Sequence, residues 1–272
     1  MWDQFILNPF TNVLLFIYNT IGRNFGVAII LFTILIRAIT WPLNAQQLKG
    51  AKVMQELQKD KEWLDIQKKY AKDREKLASE QMRIYKERGI NPFASCLPTL
   101  IQFPIIIGLY QSITRALAAT PLGLLQLAGS IYPTFLNAAL LIPLNSKFLW
   151  MDLGRPEGIP FPAGFSLPFL PYGFPTLAII VAATTYLQTK LTLPPSTGGA
   201  NDQSAAMNSM MSIYMPLLLG YFALNFASGL AVYFVTSNVL GIVQYASMGR
   251  VNWRNLLPGG DKTLPAKTGS RK

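Results

Sequence analysis

Residues 25–43, FGVAIILFTILIRAITWPL, are apolar and long enough to cross a membrane as a helix, yet they contain one charged side chain, Arg37. At a rise of about 1.5 Å per residue, Arg37 lies about 18 Å from Phe25 and about 14 Å from Gln46, near the middle of a bilayer. Burial of a guanidinium at that depth costs about 2.5–3.5 kcal/mol on insertion scales. The rest of the chain must therefore offer this residue a polar environment.

Polar neighbours of Arg37 share its helix face. Thr33 lies four residues before it, and Thr40 and Asn44 lie three and seven residues after it. At about 3.6 residues per turn, these spacings place the four side chains along one stripe. The stripe predicts a hydrated cavity around Arg37, because the run contains no acidic residue that could pair with it.

The composition is that of a membrane protein with several spans. Hydrophobic residues make up 51% of the 272 residues, charged residues make up 14%, and the mean hydropathy is positive. The chain has no histidine and one cysteine, Cys96, which excludes histidine metal sites, histidine acid–base chemistry and an internal disulfide. GxSxG, HExxH and paired CxxC motifs are also missing. The sequence therefore predicts neither an enzyme nor a cofactor or metal site.

Five apolar segments predict an all-α integral membrane protein, built as a five-span helical bundle over residues 25–248. The spans are predicted at residues 25–44, 93–112, 172–190, 207–226 and 229–248. None contains an aspartate or a glutamate, which weighs against proton- or cation-coupled transport. Only Ala227 and Ser228 separate the last two spans, so these two must be antiparallel neighbours.

Two polar segments are assigned by their length and helix signals. Residues 1–24 predict an N-terminal interfacial helix, because the helix that Asn8-Pro9 opens is too short to span a bilayer. Asn8 is predicted as its N-cap. Residues 46–88 predict a cytosolic helical hairpin in which Asp73 caps the second helix and Gly89 ends it.

The positions of the basic residues decide the orientation. Twelve of the 24 Lys and Arg lie at 49–88, and six lie in the tail 249–272, which is predicted to be disordered and cytosolic. Five spans place both regions on the cytosolic side, with the N-terminus outside. A sixth span at 124–144 would separate them, so residues 116–170 are placed outside; whether 124–144 dips into the membrane stays open. The lack of a transit peptide favours a bacterial cell (plasma) membrane.

Uncharged polar residues mark the other spans. Thr99 and Gln102 share one face of the second span, and Tyr233 and Ser237 lie one turn apart in the fifth. Two interpretations stay open. These groups either form hydrogen bonds between helices, each worth about 0.6 kcal/mol, or they line a hydrated groove around Arg37.

Three stretches resemble the YidC family of membrane protein insertases, which has mitochondrial and plastid members. They are FTILIRAITWPLNAQQ (32–47), INPFASCLPTLIQFPIIIGLYQSI (90–113) and SIYMPLLLGYFALNFASGLAVYFVTSNVLGIVQ (212–244). The sequence departs from the family at two places. Ala227 replaces the proline of a usual Pro-Ser-Gly turn, and Phe234 stands where many members have a second tyrosine.

The resemblance implies a hydrophilic groove that is open to the cytosol and to lipid and closed on the outer side. Its implied lining consists of Arg37, Thr33, Gln102 and Ser237, with Tyr233 nearby. The polar stripes add Thr40, Asn44 and Thr99 as candidate groove residues.

The implied function is that of an insertase or foldase. It moves nascent hydrophobic segments and short outer tails from the cytosol into the bilayer without nucleotide hydrolysis. The expected partners are nascent membrane proteins and membrane lipids, with a ribosome bound by the tail and a Sec-type translocase as further candidates; DNA is not expected. Two alternatives stay open: an assembly chaperone that acts with a Sec-type translocase, and an anion-selective channel or carrier for small solutes.

Overall fold

The computed structural model describes residues 1–58, 60–70, 73–90, 97–118, 120–133, 136–137, 141–160, 173–192 and 203–248. These residues are mostly helical. The helices are α1 (Asn8–Thr20), α2 (Phe25–Gln58), α3 (Lys61–Lys69), α4 (Arg74–Glu87), α5 (Leu97–Ala116), α6 (Pro121–Ser130), α7 (Thr176–Thr192), α8 (Gln203–Asn225) and α9 (Ser228–Ser247). Two short strands, β1 (Lys147–Phe148) and β2 (Met151–Asp152), pair as an antiparallel hairpin.

The predicted first span and the start of the predicted hairpin form one continuous helix. α2 has 34 residues and is about 51 Å long, well beyond the roughly 30 Å of a hydrocarbon core. The prediction of a separate segment from residue 46 is therefore wrong in this detail. Residues 44–58 are mostly good helix formers, and Pro42 lies inside the helix without ending it.

The chain after α2 folds back on itself as two short helices, α3 and α4. Asp73 accepts a hydrogen bond from the backbone N–H of Lys76 at 3.1 Å, and Gly89 follows α4 with a φ of +62°, so both predicted helix signals are confirmed. A small apolar core joins the helices through Leu57, Trp63, Ile66 and Ile84.

Ion pairs bind α4 to the start of α3. Arg83 contacts Glu80, Glu87 and Glu62 at 2.7, 2.6 and 3.2 Å, and Arg88 contacts Asp60 at 2.5 Å. Hydrogen bonds to those carboxylates raise the pKa of the Arg83 guanidinium, which therefore stays charged. Hydrogen bonds lower the pKa of the Asp60 carboxyl. The largest effect comes from the Arg88 side chain, and the next from the backbone N–H of Glu62.

We expect the contact between α3 and α4 to weaken below about pH 4. A carboxyl whose folded-state pKa is lowered stabilises the fold above its ordinary pKa of about 3.9, and this contribution is lost as the pH falls through the folded-state value. Hydrogen exchange of the α3 and α4 amides, corrected for intrinsic rates, should accelerate as the pH falls below about 4. Asp60→Asn should show part of that acceleration already at pH 7. Exchange that does not change with pH would contradict the expectation.

Within the described ranges, two helical stretches are long and apolar enough to cross a membrane, Phe25–Gln46 of α2 and Ser228–Ser247 of α9. The apolar part of α8, Ser212–Asn225, is shorter. α7 has 17 residues and is about 26 Å long, slightly less than a hydrocarbon core. The five-span arrangement therefore stays a prediction.

α9 is the central helix of the bundle and packs against α2, α5 and α7. α1 packs against α2 and α5, and a π-helical turn, Asp3–Leu7, precedes it. Asn8 has helical backbone angles and continues that turn, so its prediction as an N-cap is wrong. Asn12 is buried and binds the carbonyl of Ser130 at 2.8 Å.

Residues 141–160 fold over one end of the bundle and are named the cap below. The β1–β2 hairpin lies in the cap, and a tight turn with Leu149 at φ +53° allows it. The sequence did not predict this small sheet, but the described residues are mostly helical, as predicted. Phe148 lies against Gly26 at the start of α2. The carbonyls of Leu153 and Arg155 accept hydrogen bonds from the N-terminal amides of α9, at 3.0 and 2.8 Å. The cap therefore closes the N-terminal ends of these helices.

Candidate functional site

Arg37 is held by one residue of α9, Ser237. Its Nε donates to Ser237 Oγ at 3.1 Å, and its Nη2 donates to Ser237 Oγ at 2.6 Å and to the Ser237 carbonyl at 2.8 Å. The guanidinium is only partly buried, and it forms no ion pair with any described residue. Its Nη1 has no hydrogen-bond partner among the described residues either, so these residues leave two of its N–H donors unused.

A second contact lies one helical turn from the first on α9. The Gln102 side-chain amide of α5 donates to the hydroxyl of Tyr233, which is 2% exposed. Tyr233 and Ser237 are four residues apart and share one face of α9. Three helices, α2, α5 and α9, therefore bring four of the predicted site residues together.

The predicted stripe on α2 runs from a buried end to a more open one. Thr33 is fully buried, and its hydroxyl donates to the carbonyl of Ile29 in its own helix at 2.6 Å. Thr40 and Asn44 are partly buried, and Thr40 also bonds within its helix, to the Ile36 carbonyl at 2.9 Å. The hydroxyls of both threonines therefore donate to carbonyls of their own helix, and these bonds are neither contacts between helices nor contacts with Arg37.

Thr99 lies on α5, three residues before Gln102. Its side chain falls outside the described residues, so its place in the site stays a prediction.

The comparisons with known proteins bear on this constellation. A family model described as "60Kd inner membrane protein" matches residues 16–254. This chain belongs to that family. "Membrane protein insertase YidC 2" of Bacillus anthracis is 32% identical over 248 residues, which cover 90% of this chain and 79% of that protein. "Membrane protein insertase MisCA" of Bacillus subtilis (strain 168) is 32% identical over 247 residues, which cover 89% of this chain and 77% of that protein.

This chain is also similar to a plastid protein and to a solved structure. "Inner membrane protein ALBINO3, chloroplastic" of Arabidopsis thaliana is 34% identical over 237 residues, covering 81% of this chain and 45% of that protein. A solved structure described as "Active YidC insertase crystal structure with the first transmembrane domain resolved" has 25% identity and a TM-score of 0.49, with 89% of this chain and 46% of that chain covered. The resemblance to YidC insertases drawn from the sequence is confirmed by the family match and by the named relatives.

The structure adds residues to the site of this YidC-family chain that sequence reasoning did not place there. A Cβ at Gly241 of α9 would overlap the side-chain amide of Gln188 on α7, and it would lie 3.7 Å from Nη2 of Arg37. Because Gly241 has no side chain, the side chain of Gln188 on α7 can lie close to Arg37. The signal in the sequence was the four-residue spacing between Ser237 and Gly241, which puts a small residue on the polar face.

Two other polar residues of α9 were not among the predicted site residues. The amide of Asn238 donates to the hydroxyls of Thr184 and Thr185 on α7, at 3.1 and 2.8 Å. These buried bonds are contacts between helices and not part of the Arg37 face. Gln244 is 2% exposed, and its amide nitrogen has no partner among the described residues.

Proposed function

We propose that this chain is a membrane protein insertase whose site of action is the partly buried face around Arg37. It moves nascent hydrophobic segments and short outer tails from the cytosol into the bilayer, without nucleotide hydrolysis and without a covalent step. The observation that carries this proposal is the arginine fork on Ser237. It keeps a cation, with two N–H donors unused by the described residues, within a helix long enough to span a membrane. Membership of the insertase family supports the same function.

The proposed architecture has five spans, carried by α2, α5, α7, α8 and α9. The cap lies outside with the N-terminus, and the α3–α4 hairpin and the C-terminal tail lie in the cytosol. The excess of Lys and Arg in the hairpin and the tail supports this orientation. The bacterial relatives support the bacterial cell (plasma) membrane as the location.

The geometry suggests how the barrier is lowered. An outer tail must cross about 30 Å of hydrocarbon, and an aqueous groove that reaches Arg37 shortens the dry part of that path. An acidic group on the tail binds Nη1 of Arg37, for which the described residues provide no partner, because opposite charges attract more strongly where the dielectric is low. The buried Thr33 marks the closed end of the groove on the cap side. Burial of the apolar segment in lipid then drives its release sideways.

Partners follow from this function. Nascent membrane proteins are the substrates, and membrane lipids receive them. The basic tail is proposed to bind ribosomes, and a Sec-type translocase is a further proposed partner. An assembly chaperone that depends on such a translocase remains the alternative in the same class, and an anion-selective channel is the alternative in a different class.

Protease protection in liposomes tests the proposal. Liposomes that contain only this protein receive a single-span substrate with a short acidic outer tail, and insertion is measured as the protected fraction. Wild type should protect the tail well above empty liposomes, and Arg37→Ala should lose most of that protection. Arg37→Lys, which keeps the charge and loses the fork on Ser237, is the matched control and should retain part of it.

The outcomes separate the alternatives. Equal protection by wild type and Arg37→Ala would leave an insertase in which Arg37 is structural. No protection above empty liposomes would favour the translocase-dependent chaperone. A chloride flux that Arg37→Ala abolishes, without any protection, would favour the channel.

A further inference from the structure

A recess of about 540 Å³ opens at the cap end of the bundle, between the π-helical turn, the end of α5 and the start of α6. Its walls include Trp2, Asp3, Gln111, Arg115 and Gln126. The indole N–H of Trp2 donates to Gln111 Oε1 at 2.6 Å and joins two of these walls. None of these residues belongs to the Arg37 site, and the lining is mainly polar.

One cation and one anion lie side by side in the recess. Nη2 of Arg115 lies 3.1 Å from Oδ1 of Asp3, and Nη1 lies 3.4 Å from Oδ1 of Asn8. The Arg115 side chain is 26% exposed and that of Asp3 is 61% exposed, so solvent reaches both charges. A solvent-accessible ion pair of this kind contributes little to stability. Arg115 and Asp3 can therefore give up their contact with each other and bind a ligand instead. The complementary ligand carries a negative and a positive group next to each other.

Apolar side chains lie exposed beside this polar recess. Gly123 and Gln126 of α6 line the recess, and Leu122 and Leu125 lie on the adjacent face of the same helix, 67% and 71% exposed. Phe5 on the neighbouring π-helical turn is 74% exposed. Leucine, phenylalanine and tryptophan around a polar site are typical of a protein surface at the boundary between lipid headgroups and acyl chains.

We propose that the recess binds a zwitterionic aminophospholipid of the outer leaflet. Arg115 binds the lipid phosphate, Asp3 binds the ammonium group, and the acyl chains lie over Leu122 and Leu125. The inference rests on the membrane orientation proposed above, since the recess lies at the same end as the cap: Leu117, which follows α5, lies beside Gly154, and its Cβ is 3.4 Å from the place that a Cβ of residue 154 would take. A free phosphate would match Arg115 alone and would leave Asp3 and the leucines unexplained.

Native mass spectrometry of the full-length chain in detergent tests this site. The protein is titrated with phosphatidylethanolamine or phosphatidylglycerol with identical acyl chains, and the bound fraction is compared. Wild type should bind phosphatidylethanolamine roughly five- to tenfold more tightly, because Asp3 attracts the ammonium and repels the anionic headgroup. Arg115→Gln should weaken both lipids, and Asp3→Asn should remove the preference between them.

Arg155→Gln is the matched control, because Arg155 is an exposed arginine of the cap outside the recess. This variant should bind both lipids as wild type does. Excess soluble glycerophosphoethanolamine, which has the headgroup and no acyl chains, should not displace the lipid. Equal binding of both lipids by wild type, Arg115→Gln that behaves as Arg155→Gln does, or displacement by the soluble headgroup would each overturn the proposal. Insertion by Asp3→Asn, measured in parallel, separates a failure of this site from a failure of the insertase function.

Discussion

Arg37→Glu is expected to reduce insertion of a substrate with an acidic outer tail by on the order of 1,000-fold, and insertion of a neutral-tailed substrate by only about tenfold. Two unit charges 4 Å apart attract by about 4 kcal/mol at an effective dielectric of 20. If about a third of that energy reaches the transition state, loss of the attraction costs about tenfold in rate and the new repulsion about tenfold more. The neutral substrate loses only what depends on the fork between Arg37 and Ser237.

Three comparisons isolate the electrostatic part of this effect. Arg37→Gln removes the charge without adding repulsion, so it should lie between wild type and Arg37→Glu for the acidic tail. Arg155→Glu makes the same charge change on the exposed surface of the cap and should insert as wild type does. A basic-tailed substrate should be inserted better by Arg37→Glu than by Arg37→Gln. If Arg37→Glu inserts acidic and neutral tails equally, Arg37 does not act through its charge.

Glu157→Leu is expected to lower the free energy of unfolding by several kcal/mol and to release the cap from α7. The Glu157 carboxylate is 7% exposed and accepts three hydrogen bonds: from Trp150 Nε1 at 2.9 Å, from the Thr176 hydroxyl, and from the backbone N–H of Leu177 at 2.9 Å. The buried N–H of Leu177 would be left without an acceptor, which costs about 1–3 kcal/mol, whereas water can replace part of the bonds from the more exposed Trp150 and Thr176. The carboxylate also lies at the N-terminus of α7, where the helix dipole favours a negative charge.

Thermal unfolding in detergent and limited proteolysis within residues 141–160 measure the two effects. Glu157→Gln keeps one acceptor oxygen and the shape of the side chain, so it should lie between wild type and Glu157→Leu. Asp152→Asn is the matched control, since this acid of the same cap is exposed and its carboxylate accepts, from the described residues, just the nearby Gly154 N–H at 3.0 Å. If Glu157→Leu unfolds at the same temperature as Asp152→Asn, and residues 141–160 are cleaved no faster, the carboxylate does not hold the cap to α7.

Features that depend on neighbouring residues could be predicted from the sequence. So could the polar surroundings of Arg37, because burial of its charge in an apolar helix costs so much free energy. The Asp73 cap and the end of α4 at Gly89 follow from hydrogen bonds and backbone angles within a few residues. Arg37 stands out because a charge within an apolar helix needs an explanation wherever the helix lies. The family resemblance then supplied Ser237, Gln102 and Tyr233, which no local pattern would have connected to it.

Contacts between distant segments escaped prediction because no local pattern encodes them. Glu157 and Leu177 lie twenty residues apart and meet only when the cap folds over the bundle. Gly241 has a role only because Gln188 of another helix fills the space beside it. The continuity of α2 past residue 44 was missed because the change from apolar to polar composition looked like a structural boundary. It marks only a change in the surroundings of one unbroken helix.

That unbroken helix has a mechanical consequence. α2 connects the cap, Arg37 and the helical hairpin through a single rod, and Gln58 lies about 32 Å along it from Arg37. Helices bend where their hydrogen-bond ladder is interrupted, and Pro42 provides such a pivot five residues beyond Arg37, toward the hairpin. Under the proposed function, a force applied to the hairpin by a bound partner would turn the part of the helix beyond Pro42. The segment that carries Arg37 is anchored to Ser237 and to the cap, so the hairpin would swing without moving the guanidinium that we propose receives the arriving chain.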